Sequence, residues 1–274
     1  MPKEVKIFND EFEYTITDIS NLIYLDFDEE IDVKSNTQEV NGTDGVLLGP
    51  TTFGPFNLTL NFAFKGVDTK DLILMKEKLR HLFYRREPYY VWHSDAPGKK
   101  YAVYCDPYDK EQLTNSFATF KVPFVVYKGY SESLDTTDKF SLSNGCWQFE
   151  NNVLADNDIK YKHSSTEFTI YNGSTDAINP LLRHQLQIKI NIDAPNGFKL
   201  TNKTTGDVFE YKKPLKHNNQ LIINGVHPFV DSERVGINTN WQWITLAKGF
   251  NEIEITGSEL SNVTSQWIFP FIFR

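Results

Sequence analysis

The sequence predicts an all-β, mainly antiparallel fold with one α-helix, and three observations lead to this prediction. Aromatic residues make up 14% of the chain, and such bulky residues favour half-buried strands. Several segments have an apolar residue at every second position, which is the period of a strand. Only one segment has apolar residues at the spacing of a helix. A chain of 274 residues is long enough for about two domains.

Strand periodicity in the first half of the chain is strongest in two segments. In residues 56–64 every second position is apolar, so one face of the strand should be dry. Residues 118–126 alternate in the same way, and apolar residues on their other face indicate a strand covered on both sides. Pro123 places that strand near a sheet edge or a bulge. Shorter strands are predicted at residues 5–8, 12–17, 89–93 and 101–105.

The predicted helix lies in the segment VDTKDLILMKEKLRHLFYRREP, residues 67–88. Its apolar residues recur at spacings of three and four and form one stripe, which consists of Leu72, Met75, Leu79 and Leu82. Asp68 or Thr69 can cap the start of the helix, and Pro88 prevents its continuation. We therefore expect a first domain of strands covered by one helix.

The polar stretch of residues 128–145 indicates a surface connection between two domains, residues 1–135 and 136–274. Beyond it, apolar and polar residues alternate strictly over residues 186–193. Turn signals then separate short strands at regular intervals, which is typical of a β-sandwich. In the closing segment WIFPFIFR, Trp267, Phe269, Phe271 and Phe273 should share one face, so we expect this segment to be tied into a core.

Charge and hydropathy exclude two classes of partner. The net charge of −8 should repel nucleic acid, so no specific nucleic-acid binding is expected. No run of about 18 apolar residues occurs, and no apolar stretch follows the first lysines. We therefore expect neither membrane insertion nor a secretion signal.

Catalytic and cofactor-binding patterns are missing from the sequence. Motifs for nucleotide, zinc-protease, esterase and calcium-loop sites do not occur, and no two histidines have metal-ligand spacing. Cys105 and Cys146 lie far apart, so neither a disulfide framework nor a zinc site is expected. The chain is therefore predicted to be non-enzymatic, without metal or cofactor. A cell-wall hydrolase remains an alternative because two carboxylates can meet in space without a local motif.

The acidic run DFDEEID allows three interpretations. Asp26, Asp28, Glu30 and Asp32 would share one face of an extended segment. That face could bind a hard cation, could simply be solvated, or could form an acidic channel wall along which DNA slides without sticking.

Two other features indicate binding surfaces. The glycine-rich segment of residues 40–56 is predicted to be an ordered loop, and Leu47 and Leu48 in its middle would mark a partner surface. Trp241 and Trp243 would lie on one face of a strand and, with Trp147, could form a platform for a sugar ring. Packing in a core is the alternative for these tryptophans.

The order of these signals resembles the siphophage distal tail (Dit-type) proteins. The resemblance rests on four segments: VNGTDGVLLGPTTFGPFNLTLNFAFKG, DLILMKEKLRHLFYRREPYYVWHSDAPGKKY, KLTNKTTGDVF, and the closing WITLAKGFNEIEITG with WIFPFIFR. Together they span both predicted domains. The first two form a long and distinctive block, whereas the last two have counterparts in many β-sandwiches.

The resemblance implies a structural role in a phage that infects a Gram-positive host. It implies an N-terminal β-barrel or sandwich domain that forms a hexameric ring, and a C-terminal galectin-like or carbohydrate-module-like β-sandwich. Such a ring connects the tail tube to the tail tip or baseplate and leaves an opening for DNA. The implied partners are further copies of the chain, the tail tube protein, a tail-tip or tail-associated lysin-type protein, and receptor-binding or baseplate proteins.

The resemblance also implies a location at the tail tip of a virion made in the bacterial cytoplasm. A head-to-tail ring needs two complementary patches on each copy. The candidate residues for these patches are Gly42, Asp44, Gly45, Leu47, Leu48, Tyr84, Tyr89 and Tyr90. A carbohydrate-binding module that contacts host cell-wall saccharide through Trp241 and Trp243 is the alternative function.

Overall fold

A computed structural model describes residues 3–106, 110–112, 116–141, 147 and 159–274. Contacts divide the chain into two compact units, Met1–Glu132 with Arg274, and Ser133–Phe273. The sheets are mostly antiparallel, and the described residues contain a single α-helix, so the predicted fold class is confirmed.

The first unit consists of one large sheet, a separate hairpin and the helix. Its strands are β1 (Val5–Phe8), β2 (Glu13–Thr15), β3 (Leu22–Glu30), β4 (Val33–Glu39), β5 (Val46–Phe53), β6 (Phe56–Lys65), β7 (Tyr89–His93), β8 (Lys99–Cys105), β9 (Lys110–Gln112) and β10 (Phe117–Val126). The helix α1 (Thr69–Phe83) connects β6 to β7. The main path of the large sheet is β2-β1-β7-β8-β10-β6-β3, whereas β4 and β5 pair only with each other. A short strand, β11 (Ser131–Ser133), follows β10.

The core of the first unit lies between the large sheet and α1. Strands β6 and β10 pair along their whole length, and each turns every second side chain into the core. The Asp68 carboxylate caps α1 by accepting hydrogen bonds from two backbone N–H groups at 2.8 and 3.1 Å. The buried side chains of α1 are Leu72, Met75, Leu79 and Phe83. Leu82 is only partly buried, because the last turn directs Phe83 inward instead.

Pro123 lies in the middle of the large sheet rather than at its edge. Strand β10 pairs with β9 up to Phe120 and with β8 from Phe124 onwards, so Pro123 falls where the partner strand changes. Its carbonyl accepts a hydrogen bond from the backbone of Asp106 at 3.0 Å. Because proline has no N–H to donate, it fits an interruption of the ladder, which corrects the expected edge position.

The second unit is a β-sandwich. Its strands are β12 (Lys162–His163), β13 (Glu167–Asn172), β14 (Gln187–Asp193), β15 (Phe198–Asn202), β16 (Asp207–Tyr211), β17 (Leu221–Asn224), β18 (His227–Val230), β19 (Glu233–Arg234), β20 (Gly249–Thr256), β21 (Ser261–Ile268) and β22 (Ile272–Phe273). One sheet has the order β12-β21-β14-β17-β18-β19 and the other β13-β20-β15-β16. Phe168 of the second sheet packs edge-on against Trp267 of the first at 6.2 Å.

The closing segment is buried, but it is not one continuous strand. Strand β21 ends at Ile268, and Pro270 separates it from β22. Trp267, Phe269, Phe271 and Phe273 are all buried. The Thr137 hydroxyl donates to the carbonyl of Trp267 at 2.8 Å and accepts from the N–H of Phe269 at 3.0 Å, so the segment is fixed in the core.

Candidate functional site: an exposed β-hairpin arm

The hairpin formed by β4 and β5, called the arm below, projects from the first unit. The two strands pair from Val33 opposite Phe53 to Glu39 opposite Val46. Along both strands every side chain is exposed, and only the backbone position Gly49 is partly covered. At about 3.3 Å per residue, the eight residues of β5 span roughly 26 Å. The arm is therefore a long two-stranded ribbon with no core of its own.

The expected loop at residues 40–56 is mostly strand, which corrects the sequence prediction. Only residues 40–45 form the turn, and Gly42 and Gly45 adopt φ angles of +88° and +82° that favour glycine. A Cβ on Gly49 would lie 3.1 Å from the carbonyl oxygen of Asn36, where the ladder contains a bulge. Because both faces of the arm are exposed, no apolar alternation marks its strands.

The predicted interface residues in this segment lie at or near the end of the arm. Gly42, Asp44 and Gly45 belong to the turn, and Leu47 and Leu48 are the second and third residues of β5, with 61% and 70% of their surfaces exposed. As neighbours in a strand, these leucines face opposite sides. A two-stranded hairpin is only marginally stable in water, and large exposed apolar side chains are typical of partner surfaces. The arm is therefore suited to be covered by another protein.

The base of the arm is fixed to the rest of the first unit. The N–H of Gly54 donates to the carbonyl of Asp32 at 3.0 Å and closes the ribbon. Gly129 has a φ of +73°, and a Cβ there would lie 2.8 Å from the carbonyl oxygen of Gly54. The guanidinium of Arg274 lies 4.3 Å from the centre of the Phe53 ring, as in a cation–π contact. These contacts hold the arm at its base and leave its far end exposed.

The three tyrosines that were predicted as interface residues have different environments. Tyr84 is exposed at the end of α1. Tyr89 is buried and donates a hydrogen bond from its hydroxyl to the carbonyl of Phe83 at 2.8 Å, so it belongs to the core and presents no surface to a partner. Tyr90 is half-buried and stacks on Phe8 at 5.7 Å.

A cleft of about 460 Å³ lies beside the end of α1, and we call it the α1 cleft. The residues that line it are Asn9, Glu11, Phe12, Tyr14, His81, Leu82, Tyr84, Arg85, Arg86 and Glu87. The guanidinium of Arg85 lies 3.8 Å from the ring centre of Phe12, and its Nε donates to the carbonyl of Leu82 at 2.9 Å. Sequence analysis missed this cleft because its two walls lie about 70 residues apart in the chain.

The acidic run acquires its outward orientation from a bulge in β3. The register against β6 shifts between Tyr24 and Asp26, so Tyr24 faces the core while Asp26 and Asp28 are exposed. The amide of Asn61 on β6 donates to Asp26 and, at 3.5 Å, to Asp28. Within the part of the chain that the structure describes, no group of three acidic, histidine or cysteine side chains could hold a metal ion.

The tryptophans do not form the expected platform. Trp241 and Trp243 lie in a turn and an irregular segment rather than in a strand, so they do not share a strand face. Trp241 is 69% exposed, and its ring lies beside Gly236, where an added Cβ would be 3.2 Å away. Trp243 is half-buried, and Trp147 is buried edge-on against Phe271 at 5.1 Å. Of these three tryptophans, only Trp241 is mostly exposed.

His93 is a buried titratable group that no pattern in the sequence marks. His93 is fully buried, with its ring 4.3 Å from the ring of Phe27 and stacked at 5.6 Å on Tyr101. Its Nδ1 lies 3.3 Å from the Tyr24 hydroxyl, and its Nε2 has no hydrogen-bond partner among the described residues. Burial lowers the pKa of His93 to about 4, so the imidazole is neutral at pH 7.

Comparisons with known proteins agree with this architecture. Residues 6–126, which include the arm and the α1 cleft, match the family described as phage tail protein RIFT-related domain. No curated protein matches the sequence. None of the described helices is long and apolar enough to cross a membrane.

Solved structures extend the likeness to the second unit. The crystal structure of the Dit protein of phage SPP1, described as a paradigm of the hub adsorption apparatus in phages that infect Gram-positive hosts, has a TM-score of 0.72 at 12% identity over 98% of this chain and 99% of that chain. Two structures of the phage p2 baseplate in its activated conformation, one with Sr and one with Ca, are also similar, each at 10% identity. The structure with Sr has a TM-score of 0.46 over 98% of this chain and 98% of that chain. The structure with Ca has a TM-score of 0.45 over 99% of this chain and 98% of that chain. Residues 6–126 therefore match a phage tail protein RIFT-related domain, and the chain as a whole has the fold of SPP1 Dit, a siphophage distal tail protein, in agreement with the resemblance in sequence.

Proposed function

We propose that this protein is a structural, non-enzymatic component of a phage tail that assembles with copies of itself into a hexameric hub ring. The observation that carries the proposal is the arm, a two-stranded ribbon with exposed apolar residues on both faces, which a neighbouring copy would cover. The phage tail domain over residues 6–126 and the Dit fold support the same role.

In this proposal the ring connects the tail tube to the tail tip or baseplate, and its central opening lets DNA pass. Its partners are the tail tube protein, a tail-tip or tail-associated lysin-type protein, and receptor-binding or baseplate proteins. The protein acts in the virion after synthesis in the host cytoplasm. SPP1 Dit, which shares this fold, is described as a hub of the adsorption apparatus, and this description supports the placement. The first compact unit would serve as the ring-forming domain.

Substitution of the exposed leucines of the arm tests the proposal. Burial of a leucine is worth about 1.5–3 kcal/mol, so Leu47→Ser with Leu48→Ser should remove about 2–4 kcal/mol from each contact between copies. The dissociation constant should then rise by between about 30-fold and 700-fold. Sedimentation velocity over a concentration series measures this change. Because both side chains are exposed, the thermal unfolding of the monomer should stay the same.

A matched control is Ile237→Ser in the second unit, since Ile237 is also a large exposed apolar residue, at 81% exposure. It should leave self-association unchanged. If the wild-type chain is monomeric at every concentration, the proposed ring is wrong. If the arm variant and the control behave alike, the arm is not the contact that holds the copies together.

Saccharide binding by the second unit is a second candidate function, and it is favoured by the exposed ring of Trp241. Trp241→Ala should abolish retention of the protein on cell-wall polysaccharide, whereas substitution of the buried Trp147 would test folding instead. Wild-type protein that passes through a polysaccharide column without retardation would eliminate this candidate.

A further inference from the structure

We propose that the end of the arm of one copy docks in the α1 cleft of a second copy of this chain. This inference rests on the proposed function, and it names the two surfaces that meet. The end of the arm consists of residues 39–48, which we call the arm tip. Both surfaces belong to the first unit.

The arm tip is acidic and apolar. Glu39 and Asp44 are its charged residues, and no lysine or arginine occurs between Lys34 and Lys65. Its apolar residues, all exposed, are Val40, Val46, Leu47 and Leu48. A surface that is complementary to the arm tip would therefore carry both cationic and apolar side chains.

The α1 cleft has these properties. Residues 78–86 contain four lysine or arginine residues and no acid, and two of these cations, Arg85 and Arg86, line the cleft. Arg86 is exposed at the cleft, and exposed Tyr14 and Tyr84 form an aromatic lip. Two acids, Glu11 and Glu87, also line the cleft and balance the two arginines, and Arg85 contacts Phe12 and the carbonyl of Leu82, so the attraction of the tip should be concentrated at the exposed Arg86.

The geometry favours contact between copies rather than within one. All side chains of the arm tip are exposed, so the tip does not occupy the cleft of its own chain. Two different patches on one protomer give a head-to-tail contact, and repetition of that contact closes a ring when the rotation between copies is right. An interface of one patch with itself would instead stop at a dimer.

A charge swap tests the pairing. Arg86→Glu and Asp44→Arg should each raise the dissociation constant for self-association by about tenfold, because each places like charges together. The double variant Asp44→Arg with Arg86→Glu restores opposite charges and should recover most of the lost affinity. Lys70→Glu is the matched control, since it makes the same charge change on an exposed residue at the other end of α1 and should have little effect.

Disulfide trapping provides an independent readout of the same contact. In a background with Cys105→Ser and Cys146→Ser, Asp44→Cys with Arg86→Cys should give a ladder of crosslinked copies on a non-reducing gel. Asp44→Cys with Lys70→Cys should remain a single band. Circular dichroism of each variant checks that loss of assembly is not loss of folding.

The outcomes separate this inference from the proposed function. A wild-type chain that assembles while Arg86→Glu assembles equally well, or a double variant no better than the single ones, overturns the docking site and leaves the ring intact. A wild-type chain that never assembles overturns the proposed function itself. Restored affinity in the double variant together with a crosslinked ladder supports the arm-to-cleft contact.

Discussion

The buried imidazole of His93 should make the first unit lose stability on mild acidification. Burial lowers its pKa to about 4, whereas an unfolded chain would have a histidine pKa of about 6.5. Among nearby groups, Asp95 raises the pKa, while Lys99 and Lys3 lower it further. Between these two values the unfolded chain binds a proton that the folded chain does not. Stability is therefore complete above pH 6.5 and falls as the pH drops towards 4.

The expected magnitude follows from the difference between the two pKa values. A difference of about 2.5 units at about 1.36 kcal/mol per unit gives a loss of roughly 3 kcal/mol between pH 7.5 and pH 4. His93→Phe removes the titration and keeps an aromatic ring between Phe27 and Tyr101. The variant removes the Nε2 atom that has no hydrogen-bond partner among the described residues and also the Nδ1 contact with the Tyr24 hydroxyl, so the two proteins are compared by the pH dependence of their stability and not by its value at pH 7.5.

Urea titrations of both proteins at several values between pH 7.5 and pH 4 measure this effect. The free energy of unfolding of the wild type should fall relative to His93→Phe by about 1 kcal/mol per pH unit between pH 6 and pH 4. Other titrating groups are shared by the two proteins and cancel in the difference. Parallel pH profiles would refute the reasoning, because they would mean that the imidazole accepts a proton equally well in both states.

Three further substitutions test contacts that hold the first unit together, each by thermal or urea unfolding. Gly129→Ala should lower the free energy of unfolding by about 2 kcal/mol, because φ is +73° and the new Cβ would meet the carbonyl oxygen of Gly54. An unchanged free energy of unfolding would mean that the turn relaxes to make room for the Cβ. Glu132→Ala should lower the free energy of unfolding by about 3 kcal/mol, because Lys128 loses the buried carboxylate that lies 2.8 Å from its Nζ. The double variant Glu132→Ala with Lys128→Met should recover part of this loss. Asp68→Ala should cost about 1 kcal/mol by removing the cap of α1, whereas Asp68→Ser should cost less.

The spacing of apolar residues along the chain predicts those strands and helices that have one buried face. Strands β6 and β10 and the helix α1 were predicted from apolar spacing, and the structure confirms them within a few residues. The strands of the arm were not predicted, because both of their faces are exposed and no alternation arises. A bulge such as the one after Tyr24 also has no signature in periodicity, although it decides which side of β3 is acidic.

The candidate site could be predicted only in part, because its pieces depend on tertiary contacts. Leu47 and Leu48 stood out as apolar residues in a glycine-rich segment, and they are exposed. The alternation of residues 89–93 places Tyr89 and Tyr90 on opposite faces, but it does not tell which of them is buried. The α1 cleft is built from the segment around Phe12 and the end of α1, and no local pattern connects these segments.

The proposed function requires that copies of this chain close a ring through their first units. Negative-stain electron microscopy of the purified wild-type protein can show such a ring. We expect annular particles with six-fold symmetry and a central opening, with a mass of about 190 kDa for six chains of 31.7 kDa. Fields that contain only separate particles of one chain, at concentrations up to the solubility limit, would contradict it.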